Sequence, residues 1–255
     1  MSAVQDFPGA AGSSSGVEAA PSARPRALTV LTGVTVIAVL AGLFLALSYA
    51  GTDVIQGEVQ RIFYIHMPSF FGAFLAFGGT VLGGVMYLRT RDIKWDTLAV
   101  AGVEVGLALS IINLATGSVW ARPIWNTWWT WDPRLTSAAV MVLTYAAYLM
   151  LRNGIENPDT RRRFASVYGI LAIVTVILTL VIIRIVPETI HPTVVGPSPQ
   201  SAEGSFDASP TMAVALVANL VIWGALVPVT LMWYRIRLEN RAQRVLALKQ
   251  KLLER

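Results

Sequence analysis

Two histidines, a dense group of tryptophans and a handful of arginines carry the chemistry open to this chain. His66 lies in RIFYIHMPSF and His191 in VPETIHPTVV; they are the only histidines among 255 residues. Two imidazoles at similar depth can supply both axial nitrogens of a haem iron, or two donors to a zinc or copper ion. A tetrahedral metal centre wants three or four ligands, and with no cysteine in the chain the rest would have to be carboxylates. The lack of cysteine also excludes disulfides, a thiol relay, thiolate ligation and CxxCH haem attachment. A single histidine at a membrane interface most often serves as a polar anchor. The joint placement of this pair, described below, raises it above that.

Between the histidines runs WARPIWNTWWTWDPRLT, residues 120–136, with five of the eight tryptophans: Trp120, Trp125, Trp128, Trp129 and Trp131. If this stretch is helical, Trp125, Trp128, Trp129 and Asp132 fall at i, i+3, i+4 and i+7, which puts three indoles on one face. An aromatic belt at headgroup depth accounts for one or two such residues per interface. Five exceed what anchoring needs, although a deep interfacial anchor stays open as a reading. Asp132 followed by Pro133 is a helix-start signal and predicts the next helix from Arg134 or Leu135. Arg61, Arg122 and Arg134 are the nearest guanidinium groups. Such groups pair with carboxylates, haem propionates included, but each alone also reads as a snorkelling interface residue.

The elements that must position these residues are membrane spans. Apolar residues make up 55% of the chain and charged residues only 14%, outside the usual range of a soluble globular protein. Runs long enough to cross roughly 30 Å of hydrocarbon at about 1.5 Å per residue occur six times. They cover residues 27–50, 67–88, 97–119, 135–151, 164–183 and 211–234. The first run is too long for a signal-peptide core and no small-residue cleavage site follows it, so it is read as a span. Residues 1–26, rich in Ala, Ser, Gly and Pro, are predicted to be a disordered tail, 27–235 the six-helix domain and 236–255 a basic tail.

Of the 20 Lys and Arg residues, sixteen fall on one set of alternating loops and tails and four on the other. By the positive-inside rule both termini are cytoplasmic, and the two histidines and the tryptophan segment share the extracytoplasmic side. The same topology explains a pI near 9.8 without a nucleic-acid partner. No GxxxxGK[ST] loop is present, so any energy from ATP comes from a partner. Glu104 is the only ionisable residue well inside a span, by default a proton or ligand site, and its role is left open. Gly79, Gly83 and Asn113 read as helix-packing and interhelical hydrogen-bond positions. The C-terminal RIRLENRAQRVLALKQKLLER is compatible with a helix on anionic lipid, a docking helix, or a basic stop-transfer cluster running into a solvated helix.

WNTWWTWDPRLTS resembles the tryptophan-rich motif of the haem-handling superfamily of cytochrome c maturation, and RIFYIHMP resembles the segment before the second span in its CcmC branch. The order of elements is also similar over about residues 27–235. That resemblance implies haem b held at the extracytoplasmic face of the bacterial inner membrane and passed to the haem chaperone CcmE, beside the ABC transporter CcmA and CcmB and the small protein CcmD. It implies a binding and delivery protein and not an enzyme. Carried over by position, His66 and His191 become the axial ligands. Trp120, Trp125, Trp128, Trp129, Trp131 and Asp132 become the platform and chaperone-contact surface, with Arg61 and Arg134 near the propionates. The family commonly carries WWxTLHQ around the second histidine, whereas this chain reads VPETIHPTVV, so His191 is matched by position and not by motif. Three rival readings stand beside this one: a b-type cytochrome redox subunit, a haem transporter, and a structural membrane subunit of an ABC-type haem export complex.

Overall fold

The computed structural model describes residues 25–193 and 208–254. The predicted N-terminal tail, up to residue 24, and the Pro-, Ser- and Gly-rich stretch after His191 lie outside the described residues. Six helical rods are long and apolar enough to cross a membrane. They are α1 (Arg26–Phe44), α2 (Phe63–Thr90), α3 (Ile93–Trp125), α4 (Pro133–Gly154), α5 (Pro158–Ile185) and a last rod made of α6 (Pro210–Val221) and α7 (Val227–Leu253). A π turn over Leu45–Tyr49 extends α1, and another over Ile222–Leu226 joins α6 to α7. The protein is an all-α membrane protein.

Local signals set most of the helix starts. Asp92, Asp132, Asn157 and Ser209 each cap a helix by accepting backbone N–H bonds, and the last three are each followed by proline at the first helical position. The fourth helix accordingly begins at Pro133, a residue or two ahead of its predicted start. Three bounds differ more. The second helix begins at Phe63, behind a 3₁₀ turn over Glu58–Ile62, so His66 sits in its first turn and not ahead of it. The third runs to Trp125, because Trp120 packs with Phe63 and Tyr64 in an apolar cluster that continues the helix past the hydrophobic run. The last rod continues through the basic tail to Leu253, supported by i,i+4 contacts of Glu239 with Arg235 and Gln243.

The hairpin of α2 and α3 is the spine of the bundle, with α5, α6 and α7 packed on α2. Small residues let these helices approach. A methyl added at Gly83 would lie 2.5 Å from the Trp95 carbonyl oxygen, and one at Gly79 would meet the Met232 side chain at 2.7 Å. Polar bonds then tie the outer helix α1 to the last rod: Asn219 donates to the Gly42 carbonyl at 3.1 Å, and Thr35 and Thr230 pair at 2.8 Å.

The rods alternate in direction, so the ends gather into two faces. At the basic end, Arg152 forks onto the buried Asp96 at 2.7 and 2.6 Å, joining α4 to α3. Glu104 is close by in an ion pair with Arg235, whose second partner is Glu239 at 3.0 Å. Its place inside a span is therefore explained by pairing across to α7. The opposite end carries both histidines.

Candidate functional site

His66 is oriented by α3. Its Nδ1 lies 2.9 Å from the Asn113 backbone carbonyl and 3.2 Å from the Thr116 hydroxyl, while the Asn113 side-chain amide donates to the His66 carbonyl at 2.8 Å. A carbonyl oxygen can only accept, so Nδ1 carries the proton and Nε2 keeps its lone pair. Room for the ring comes from Gly117, where a methyl would stand 2.8 Å from His66 Cε1. Asn113, Thr116, Gly117 and Trp120 are spaced i, i+3, i+4 and i+7, one stripe of α3 facing the imidazole.

His191 follows the end of α5 in an irregular segment. Its Nδ1 donates to the Pro192 carbonyl at 2.9 Å, which leaves Nε2 as its free lone pair too. Burial, followed by the positive charge of Arg134, pushes this imidazole down to about 4, against the bond to Pro192, so it is neutral at ordinary pH. The two imidazole centroids are 6.5 Å apart with 35° between their planes. Trp120 lies 5.8 Å from the His66 ring, Trp125 6.1 Å from the His191 ring, and the two indoles 6.4 Å from each other.

The tryptophan segment is not one helix. Asn126 adopts a left-handed conformation, φ 53°, and ends α3; residues 127–132 then run as bends and extended chain. A turn in which Thr127 Oγ1 donates to the Trp129 carbonyl replaces the helical ladder. The predicted single face of Trp125, Trp128, Trp129 and Asp132 does not form, because a left-handed residue at the first step breaks the 3.6-residue repeat. Trp125 and Trp129 instead line the cavity beside the histidines, while Trp128 is 59% and Trp131 77% exposed. Trp131 rests edge-on against Trp129, centroids 5.6 Å apart.

These residues enclose an open-sided cavity of ≈ 240 Å³ at the histidine end, lined by His66, His191, Trp120, Trp125, Trp128, Trp129 and Arg134 among others. Arg134 donates to the Thr179 carbonyl at 2.6 Å and lies 5.4 Å above the Phe70 ring. Among the described residues the buried indole N–H groups of Trp125 and Trp129 have no acceptor, which a polar ligand in the cavity would provide. Trp120 is satisfied: its indole N–H reaches Gln56 Oε1 at 3.1 Å. Among the described residues no three His, Asp or Glu side chains gather, so the donors suit axial ligation by two imidazoles and not a tetrahedral metal centre.

Residues 17–251 match the family model described as heme exporter protein C, CcmC. The chain belongs to that family. It is 29% identical over 230 residues to heme exporter protein C of Rhodobacter capsulatus, covering 89% of this chain and 91% of the relative. To the Haemophilus influenzae protein of the same name it is 31% identical over 205 residues, 77% and 78% of the two chains. The match to the Paracoccus denitrificans protein is 34% over 128 residues and spans about half of each, 50% and 52%. Membership makes this a multi-pass membrane protein of haem handling in cytochrome c maturation.

Of the ten site residues expected from sequence, the structure brings seven into one cavity: both histidines, Trp120, Trp125, Trp128, Trp129 and Arg134. Asp132 stands behind the wall as the cap of α4, Trp131 outside it, and Arg61 on the preceding loop in a 2.8 Å ion pair with Glu58. Sequence reading missed Thr116 and Gly117 but gave Asn113 as an interhelical hydrogen-bond position, which its bond to the His66 carbonyl bears out; the stripe the three share with Trp120 is the signal that identifies the other two. Gln56 had no sequence signal, since it acts on Trp120 from an irregular loop.

Proposed function

We propose that this protein binds haem b at the extracytoplasmic face of the bacterial inner membrane, between His66 and His191, and delivers it to the haem chaperone CcmE. The reading includes the companions CcmA, CcmB and CcmD and the orientation with both termini cytoplasmic, which rests on the distribution of Lys and Arg. One observation carries it: two imidazoles, each with its Nδ1 proton held by a backbone carbonyl so that Nε2 is the nitrogen left for a ligand, meet in a tryptophan-lined cavity, centroids 6.5 Å apart. With each metal–nitrogen bond about 2 Å, an iron between two axial imidazoles would hold the centroids about 6 Å apart. The spacing therefore fits bis-imidazole ligation.

The chain's residues divide the work. The carbonyls of Asn113 and Pro192 hold the Nδ1 protons and so aim Nε2 at the ligand, as outer partners of ligating histidines commonly do. Trp125 and Trp129 present apolar rings together with unspent N–H donors suited to a carboxylate. Arg134 supplies half-buried positive charge for a propionate; Arg61, paired outside the wall, would reach one only at the open edge. The cavity lies below the usual range of roughly 300–1,000 Å³ for small-molecule pockets, so the macrocycle would project through the open side toward Trp128 and Trp131. An exposed edge is what delivery requires, since cargo must leave as readily as it binds.

The test is spectroscopic. Protein purified from a haem-replete host should carry a bis-imidazole Soret and α/β spectrum, His66→Ala and His191→Ala should each lose it, and each should fail to load the chaperone. A double variant that keeps the full bis-imidazole spectrum would overturn the site.

A further inference from the structure

We infer that Thr189 is a positioning residue for His191, through which the tryptophan loop holds the second imidazole in register. The inference rests on the reading of His191 as an axial ligand and adds what keeps it there. Asp132, the last residue of the loop, uses its two carboxylate oxygens separately. Oδ1 accepts the Leu135 N–H at 2.8 Å and caps α4. Oδ2 accepts the hydroxyl of Thr189, across 57 residues of chain. That same hydroxyl oxygen accepts the backbone N–H of His191 at 3.1 Å. Thr189 is 2% exposed, so water does not compete for these bonds.

The two ligands are thus held by different means. His66 sits in the first turn of α2 and is bonded to α3, two helices of the spine. His191 follows the end of α5, and among the described residues its ring is hydrogen-bonded to the carbonyl next door in sequence. The Thr189 hydroxyl ties its backbone to the loop that also exposes Trp128 and Trp131. A displacement of the tryptophan loop, as by a protein docking on those exposed indoles, is therefore passed through Asp132 and Thr189 to His191 and leaves His66 in place. One axial bond is weakened while the other keeps hold of the cargo.

The full-length protein carrying haem tests this with Thr189→Val, Thr189→Ser, Asp132→Ser and His191→Ala, read by Soret position and by electron paramagnetic resonance of the iron spin state. Thr189→Val removes the hydroxyl that bonds both Asp132 and the His191 backbone, so the fraction with one imidazole lost should rise on the order of tenfold. Thr189→Ser should restore the wild-type spectrum. Asp132→Ser keeps a capping hydroxyl but is too short to reach Thr189, and should resemble Thr189→Val. The double variant Asp132→Ser/Thr189→Val should be no worse than either alone. Wild-type spectra from both Thr189→Val and Asp132→Ser, additive effects in the double variant, or no rescue by serine would each overturn the relay. A bis-imidazole spectrum in His191→Ala would instead overturn the ligand assignment on which the relay rests. Should Thr189→Val not accumulate, Asp132→Ser with Thr189→Ser gives the same decision.

Discussion

Gly117→Ala is the smallest change that bears on the proposed site. The added methyl would stand 2.8 Å from His66 Cε1 and 3.3 Å from Nδ1, whereas ordinary carbon contacts lie at about 3.5–4.0 Å. The ring must back away by about 0.7 Å. Moved so far from α3, the 2.9 Å bond from Nδ1 to the Asn113 carbonyl exceeds the roughly 3.2 Å limit of a good N–H···O bond. The cost is about 1 kcal/mol for that bond and about 1–3 kcal/mol for overpacking, against about 1 kcal/mol gained by replacing glycine inside a helix. Global stability should fall by only about 1–3 kcal/mol. Retained haem should fall on the order of tenfold, because the imidazole also loses the bond that fixes its tautomer. Gly78→Ala is the control: nothing lies within 4 Å of its added methyl, so only the helix gain applies. Haem per protein is read by the pyridine haemochrome assay and stability by thermal unfolding in detergent. Wild-type haem content and spectrum in Gly117→Ala would refute the claim that this glycine makes room for the ligand.

Three further outcomes follow from the geometry. In haem-free protein the His191 imidazole should titrate near 4, not near the ordinary value of about 6.5, because the fold disfavours its charged form. The unfolded chain binds the proton first, so stability is complete above about pH 6.5 and declines as pH falls toward 4; a ring-proton NMR midpoint near 6.5 would contradict this. Gln56→Leu strips the acceptor from the buried Trp120 indole N–H and should cost about 1–3 kcal/mol in unfolding measurements, a prediction lost if the variant matches wild type. A double-mutant cycle of Glu104→Gln and Arg235→Gln should return a coupling of about 1 kcal/mol, discounted for partial exposure, with the haem spectrum unchanged; a shifted Soret band would show that the basic end communicates with the histidine end.

The bundle was legible in the sequence because hydropathy over 18 or more residues is a long-range average that single residues cannot disturb. The start of α4 was legible for the opposite reason: Asp132 and Pro133 are a two-residue signal with its own stereochemistry. Reading failed where neither applied. Within 126–131 the helical spacing of the tryptophans was real, but Asn126 in the left-handed region removed the helix that would have used it. The stripe facing His66, Asn113 to Trp120, was hidden inside an apolar span, where Asn113 read as a helix-contact position and Thr116 and Gly117 carried no signal of their own. It became visible once α2 was found to begin early enough to set His66 against it.

The break at Asn126 also explains how one short segment can serve both a ligand and a partner. A continuous amphipathic helix would have sent all its indoles to one side, either into the cavity or onto the membrane surface. By ending α3 at Trp125 and turning at Thr127, the chain lets Trp125 and Trp129 line the wall beside His191 while Trp128 lines the cavity with more than half its surface exposed and Trp131 stays outside. The exposed rings and the buried ones are then mechanically continuous through fewer than eight residues, with Asp132 at the end holding Thr189. Delivery of a tightly held cargo needs contact with the recipient to lower the affinity of the donor, and that requires differential contacts in the docked and undocked states. A segment that faces both ways and is bonded through Asp132 and Thr189 to the segment carrying His191, while His66 is fixed on the helical spine, provides such a difference. It follows that substitutions at Trp131 should slow transfer while leaving the bis-imidazole spectrum of the undocked protein intact; a Trp131 variant that loses haem before the chaperone is added would count against the division of labour between inner and outer rings.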